Sequence, residues 1–126
     1  MAIQLTSTGI NTMLSAFLGS EDQTLKLYSN DVDPETSTTA SQFTEVSGEG
    51  YGVKTLGSGD WSVAVGVATT TPQTWQFTGA AGAVYGYYLV GATSGNLLAA
   101  EKFENGPYTV AVAGDKITVS ITISLA

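Results

Sequence analysis

The sequence predicts a mainly β fold: an antiparallel β-sandwich, jelly-roll-like, with a short N-terminal helix. Three observations predict it. Fifteen glycines in 126 residues, with serine and threonine throughout and no long runs of Ala, Leu, Glu or Lys, favour strands and turns. Apolar residues alternate with a period of two in several separate segments from Gln23 onward. One stretch alone, near the start, repeats with the period of a helix.

That stretch places Ile10, Met13, Leu14, Phe17 and Leu18 at i, i+3, i+4, i+7 and i+8, which is one face of a short helix lying on something apolar. Thr8, or Asn11 for a later start, is the expected N-cap, and Gly19 stands where a left-handed C-cap residue belongs. Thr24 to Tyr28 reads as a strand with Leu25 and Leu27 pointing one way and Lys26 the other. Ser29 to Ser41 is rich in Asn, Asp, Pro, Ser and Thr and reads as a long polar loop that does not pack. Tyr51 to Leu56 and Trp61 to Val65 read as a hairpin around Gly57-Ser58-Gly59-Asp60, with Trp61, Val63 and Val65 on one face.

Gln73 to Thr78 carries Trp75 and Phe77 on one side. Val84 to Val90 is apolar on both faces, as a central strand covered on each side would be. Asn96 to Phe103 follows a Gly91 to Gly95 turn and completes a second hairpin. The clearest strand closes the chain, with Ile117, Val119, Ile121, Ile123 and Leu125 alternating with Thr118, Ser120, Thr122 and Ser124. Seven or eight strands with turns between them fit a sandwich or jelly roll, with an even-numbered barrel as the other architecture. No fixed-period repeat and no linker divides the chain, so residues 1–126 are expected to form one domain, with residues 1–22 as an N-terminal arm and short helix.

The missing side chains constrain function. The chain has no histidine, cysteine or arginine, which removes the neutral-pH proton shuttle, the thiolate nucleophile, imidazole and thiolate metal ligands and the bidentate phosphate fork. An enzyme is not expected, nor a cofactor. Eleven acids against four lysines give a net charge of −7, which repels a phosphate backbone, so nucleic acid is not an expected partner. No apolar stretch reaches the length of a membrane span and no leader pattern opens the chain, so a soluble, unprocessed protein without membrane contact is expected.

Three features are candidates for a site. Asp31, Asp33 and Glu35 alternate as calcium-binding oxygens often do. The EF-hand pattern nevertheless fails, because the sixth position from Asp31 is Thr36, and a solvated acidic turn is the plainer reading. No metal is assigned. Asp60, Glu101, Glu104 and Asp115 are carboxylates of the kind that hydrolyse glycosides in pairs, but each sits beside a turn or strand end, where acids are common. Trp61, Trp75, Tyr85, Tyr87 and Tyr88 have three readings: core packing, a protein interface, or a platform for sugar rings. Tyr87 and Tyr88 are consecutive in a strand and face opposite ways, so one of them is expected outside the core and in an interface.

Several phrases fall in a characteristic order: Leu25-Lys26-Leu27-Tyr28-Ser29-Asn30-Asp31, the Pro34 loop, Phe43-Thr44-Glu45-Val46 leading to Gly50-Tyr51, and Lys54-Thr55-Leu56. Then come Trp61, Thr74 to Gly79, Val84-Tyr85-Gly86-Tyr87, Glu101-Lys102-Phe103, Gly114-Asp115 and the closing alternation. In this order the chain resembles small structural proteins of tailed bacteriophage virions, in particular capsid decoration (cement) proteins. The resemblance implies a place on the outer surface of the capsid, the major capsid protein as partner, and a homo-oligomer, a trimer being favoured. It transfers no reactive residue. Met1 to Gly19 and Ser29 to Gly50 are the contact segments it leads to, with Ile10, Met13, Leu14, Phe17, Leu18, Asp31, Asp33, Tyr87 and Tyr88 as candidate interface residues. A tail-tip or fibre module that binds a receptor or glycan, or a tail or head-completion component, are the alternatives.

Overall fold

The computed structural model describes residues 3–125; Met1, Ala2 and Ala126 lie outside that range. Helix α1 (Ser7–Gly19) is followed by β1 (Gln23–Tyr28), β2 (Lys54–Leu56), β3 (Trp61–Ala64), β4 (Val67–Thr70), β5 (Gln73–Gln76), β6 (Gly82–Val84), β7 (Gly86–Gly91), β8 (Leu97–Lys102), β9 (Tyr108–Val110), β10 (Lys116–Val119) and β11 (Thr122–Ser124). The fold is mainly β, and all strand pairs are antiparallel. The sheets run β2-β1-β7-β8, β11-β4-β3, β10-β5 and β6-β9.

The four-stranded sheet is covered on both faces, which explains the continuous burial of β7. Alternation sorts its side chains. Leu25 and Leu27 of β1 and Tyr87 and Leu89 of β7 enter the main core with Trp75, Phe77, Ile117 and Val119. Tyr28 of β1 and Tyr88 and Val90 of β7 face the other way and meet Phe43. The cover on that side comes from the segment read as an unpacked loop. Val32 and Ala40 pack against this second cluster, Asn30 Oδ1 accepts from Thr44 N at 2.8 Å, and the Tyr28 hydroxyl donates to the Val32 carbonyl at 3.1 Å. Polar composition kept the loop free of strands without keeping it off the body.

Three strand assignments are corrected. The Val84 to Val90 run is broken at Tyr85: Val84 ends β6, which pairs with β9, and β7 begins at Gly86. β2 and β3 do not form a hairpin: β2 pairs with β1, and β3 turns back into β4 through Val65 and Gly66. Both turn residues have positive φ, 51° and 76°, the geometry of a two-residue type I′ loop, so Val65 leaves the face of Trp61 and Val63 and stands exposed. The closing tract is also two strands. β10 pairs with β5, β11 pairs with β4, and the chain crosses between the sheets at Ile121, which exchanges hydrogen bonds with Thr70. Pro72, which has no backbone donor, separates β4 from β5 on the partner side. The side-chain alternation runs unbroken through this crossing, so periodicity alone does not reveal it.

Helix α1 forms as the apolar spacing predicts, with adjusted ends. Thr6 is the N-cap, its hydroxyl accepting from Gly9 N at 3.1 Å, in place of Thr8 or Asn11. Asn11 instead accepts from Gly66 N at 2.7 Å and ties the helix to the β3-β4 turn. Gly19 is the last helical residue, and the chain leaves through Ser20 in a right-handed conformation rather than through a left-handed glycine. Ile10, Leu14 and Leu18 are buried against Ala68, with Trp61, Val63 and Ile123 alongside.

Candidate functional site

The amphipathic face of α1 is wider than the surface it covers. Ile10, Leu14 and Leu18 point into the sheet of β3, β4 and β11, so these three interface candidates are spent within the chain. Met13 and Phe17 lie one step around the helix and remain 49% and 38% exposed. They overhang a groove of about 370 Å³ whose other walls are Leu98 and Ala99 of β8 and Ile123 and Leu125 at the chain's end, with Leu14 at its floor. Among the described residues no charged or polar side chain lines it. Desolvating such a surface on a partner is favourable by about 25 cal/mol per Å².

Asp31 and Asp33 come together as the alternate spacing implies, but around a lysine. Lys102 Nζ at the end of β8 donates to Asp33 Oδ1 at 3.1 Å and to Asp31 Oδ1. These hydrogen bonds hold the ammonium's pKa above its ordinary value. The ammonium occupies the position a cation would take between the two carboxylates. Among the described residues no three acidic side chains converge as a metal site.

The expectation that Tyr87 or Tyr88 lies outside the core is corrected. They do face opposite ways, and both are buried, at 6% and 4% exposure, because both faces of the sheet are covered. Tyr87 belongs to the main core, while Tyr88 stacks on Phe43 with centroids 4.6 Å apart and planes 14° apart. Burial pushes the Tyr28, Tyr87 and Tyr88 phenols up to about 12. Trp75 is buried as well, its indole donating to the Gly52 carbonyl at 2.7 Å. Trp61 and Tyr85 are half-buried, so the five aromatic residues form no open platform.

Two of the four carboxylates considered for hydrolysis, Asp60 and Asp115, have structural employment. Asp60 accepts from Gly57 N at 2.8 Å, and Asp115 accepts from the backbones of Ala111 and Val112. Both are turn caps, as their positions beside turns imply. Glu21, not singled out in the sequence, accepts from the backbones of Thr93 and Ser94 and from the Ser94 hydroxyl, tying the exit of α1 to the β7-β8 turn. The backbone bond from Ser94 leads in holding its carboxyl below the ordinary value.

Sequence reasoning found the helical side of the groove and missed Leu98, Ala99 and Leu125. A usable signal existed: Leu97-Leu98-Ala99-Ala100 is an apolar run in β8, an edge strand, and so has no sheet neighbour on one side to cover it. Comparison of the chain with family models, with characterised proteins and with solved structures finds no match.

Proposed function

We propose that the chain is a non-enzymatic structural protein of a tailed-phage virion, a head decoration protein on the capsid exterior that stabilises the shell by bridging major capsid subunits. The observation that carries this reading is the apolar groove of Met13, Phe17, Leu98 and Leu125, an exposed docking surface in a chain where Asp60 and Asp115 cap turns and Asp31 and Asp33 pair with Lys102. The order of the phage-like phrases supports it from the sequence side. Its mechanism is mass action: a protein that binds only the assembled lattice stabilises that lattice, increasingly so as its free concentration exceeds Kd.

The test is the particle itself. Purified virions should contain this chain among their most abundant proteins, and particles made without it should release their DNA at lower temperature than complete ones. Scarcity in the particle points instead to a tail-tip or head-completion component, and equal heat resistance with and without the chain overturns the stabilising role.

A further inference from the structure

Among the described residues nothing covers the groove beside α1, and the same chain carries an apolar segment that is exposed. Ile3 and Leu5 are 89% and 54% exposed. They alternate around Gln4, so in an extended conformation both side chains fall on one face. The arm enters the helix through Thr6 at φ −76° and ψ 161°, which is extended backbone.

We propose that this groove receives the N-terminal arm, Ile3 to Leu5, of a second copy of the chain. The inference deepens the decoration-protein reading by assigning its docking groove to a neighbouring copy, so that copies linked through their arms brace the shell together. Charge selects the occupant. At a net charge of −7, most faces of two copies repel, yet residues 1–20 and 117–126 carry no charged side chain, nor does the Leu97 to Ala100 wall. Groove and arm are both drawn from those uncharged segments. Shape agrees, because β8 and β11, which supply two walls, are terminal strands of their sheets among the described residues. An extended segment is what the space between sheet edges accommodates. A second hollow of about 460 Å³ between Tyr108–Val110 and Asp115–Thr118 has Asp115 and Lys116 on its rim and suits an apolar arm poorly.

Arm and groove are different patches, so the contact is either heterologous, closing into a ring such as a trimer, or made reciprocally about a two-fold axis in a dimer. Exposed sheet edges and apolar arm are then satisfied by one association.

The chain lacks cysteine, which makes cross-linking clean. Purified Ile3→Cys protein is mixed with a size-tagged Leu98→Cys protein and oxidised; a mixed disulfide of the summed mass is expected. Val112→Cys, exposed in the turn before β10, serves as the remote control and should give little. Light scattering of the unmodified protein should give a multiple of the 13.0 kDa chain mass. Leu5→Asp should weaken that association at least tenfold with an unchanged circular dichroism spectrum. A monomer at all concentrations, cross-linking no greater than to Val112→Cys, or an intrachain disulfide in dilute Ile3→Cys/Leu98→Cys protein each overturns the proposal, the last by giving the groove to the chain's own arm. Purified protein answers this question and the virion answers the other. A monomer that still decorates particles removes only the arm exchange, and an oligomer absent from particles removes only the decoration role.

Discussion

The indole N–H of Trp61 donates to Oε1 of Gln23 at 3.0 Å, and the amide nitrogen of Gln23 donates in turn to the Leu18 carbonyl at 2.8 Å and to the Glu21 carbonyl. Gln23 is fully buried. It therefore joins three parts of the fold at one point: the last turn of α1, the start of the four-stranded sheet, and β3 of the three-stranded sheet. The orphan carbonyl that every helix end leaves is satisfied here by a side chain from the following strand.

Gln23→Leu keeps the volume and removes both roles. The buried Leu18 carbonyl and the half-buried Trp61 indole then lose their partners, which costs about 1–3 kcal/mol. Trp61→Phe alone removes one donor. The double variant should cost less than the sum of the two singles, since the second change deletes a group already left unpaired. Urea denaturation of the four proteins measures this, and strict additivity would contradict the shared network.

This junction shows where the sequence was legible. The helix, the two-sided central strand and the β7-β8 hairpin were readable because hydrophobic period reports directly which face is buried. Gln23 was not, because a glutamine at a strand start looks like a polar boundary residue, and its burial is decided by a carbonyl at residue 18 and an indole at residue 61. The same limit applies to Ile121. Period two persists through a crossing from one sheet to another, since the side chains go on alternating while the hydrogen-bond partner changes. The site followed this division: Met13 and Phe17 came from helical spacing, Leu98 had an apolar run as its signal, and Leu125 entered through tertiary placement. Tyr88 was misread because its cover, Phe43, lies beyond a loop whose polar composition hid two anchoring apolar residues, Val32 and Ala40.

Leu14 and Phe17 separate folding from docking. Leu14 is 1% exposed between α1 and the β3-β4-β11 sheet, and Leu14→Ala should lower stability by about 2–5 kcal/mol through lost contacts and a residual cavity. Phe17 is 38% exposed at the groove rim, and Phe17→Ser should cost well under about 2 kcal/mol while reducing association with partner subunits. Thermal melts and incorporation into particles read the two effects separately. Equal destabilisation by both substitutions would mean that the groove is part of the core.

Alkaline pH should unfold the protein through its tyrosines. Burial raises Tyr28, Tyr87 and Tyr88 from 10.0 to about 12, with Tyr51 displaced in the same direction by burial and held by its hydrogen bond to Glu45. Because the folded-state values are raised, the stabilisation is complete below about pH 10. It falls as the unfolded chain ionises first, and is lost as pH rises through 12. Denaturation midpoints should be flat up to pH 10 and then drop, with tyrosinate absorbance at 295 nm (roughly the usual phenolate band) rising together with loss of structure. Ionisation of Tyr28, Tyr51, Tyr87 and Tyr88 near pH 10 in a chain that stays folded would contradict their burial.

Val65 should be improvable. It has φ 51° at the first loop position of the β3-β4 hairpin, a conformation that crowds a β-branched side chain, and it is 78% exposed, so no packing offsets the strain. Asparagine before Gly66 is the favoured pair for a type I′ loop, since Asn adopts the left-handed region more readily. Val65→Asn should raise stability by about 1 kcal/mol, the lower end of what such a conformation costs. Asn11, which accepts from Gly66 N, would hold the turn unchanged in the variant. A higher melting temperature with undiminished incorporation into particles would assign Val65 to local strain alone. If the variant is stabilised yet excluded from particles, the exposed valine is a contact residue and the strain is retained for binding. A lower melting temperature would refute the strained-turn account.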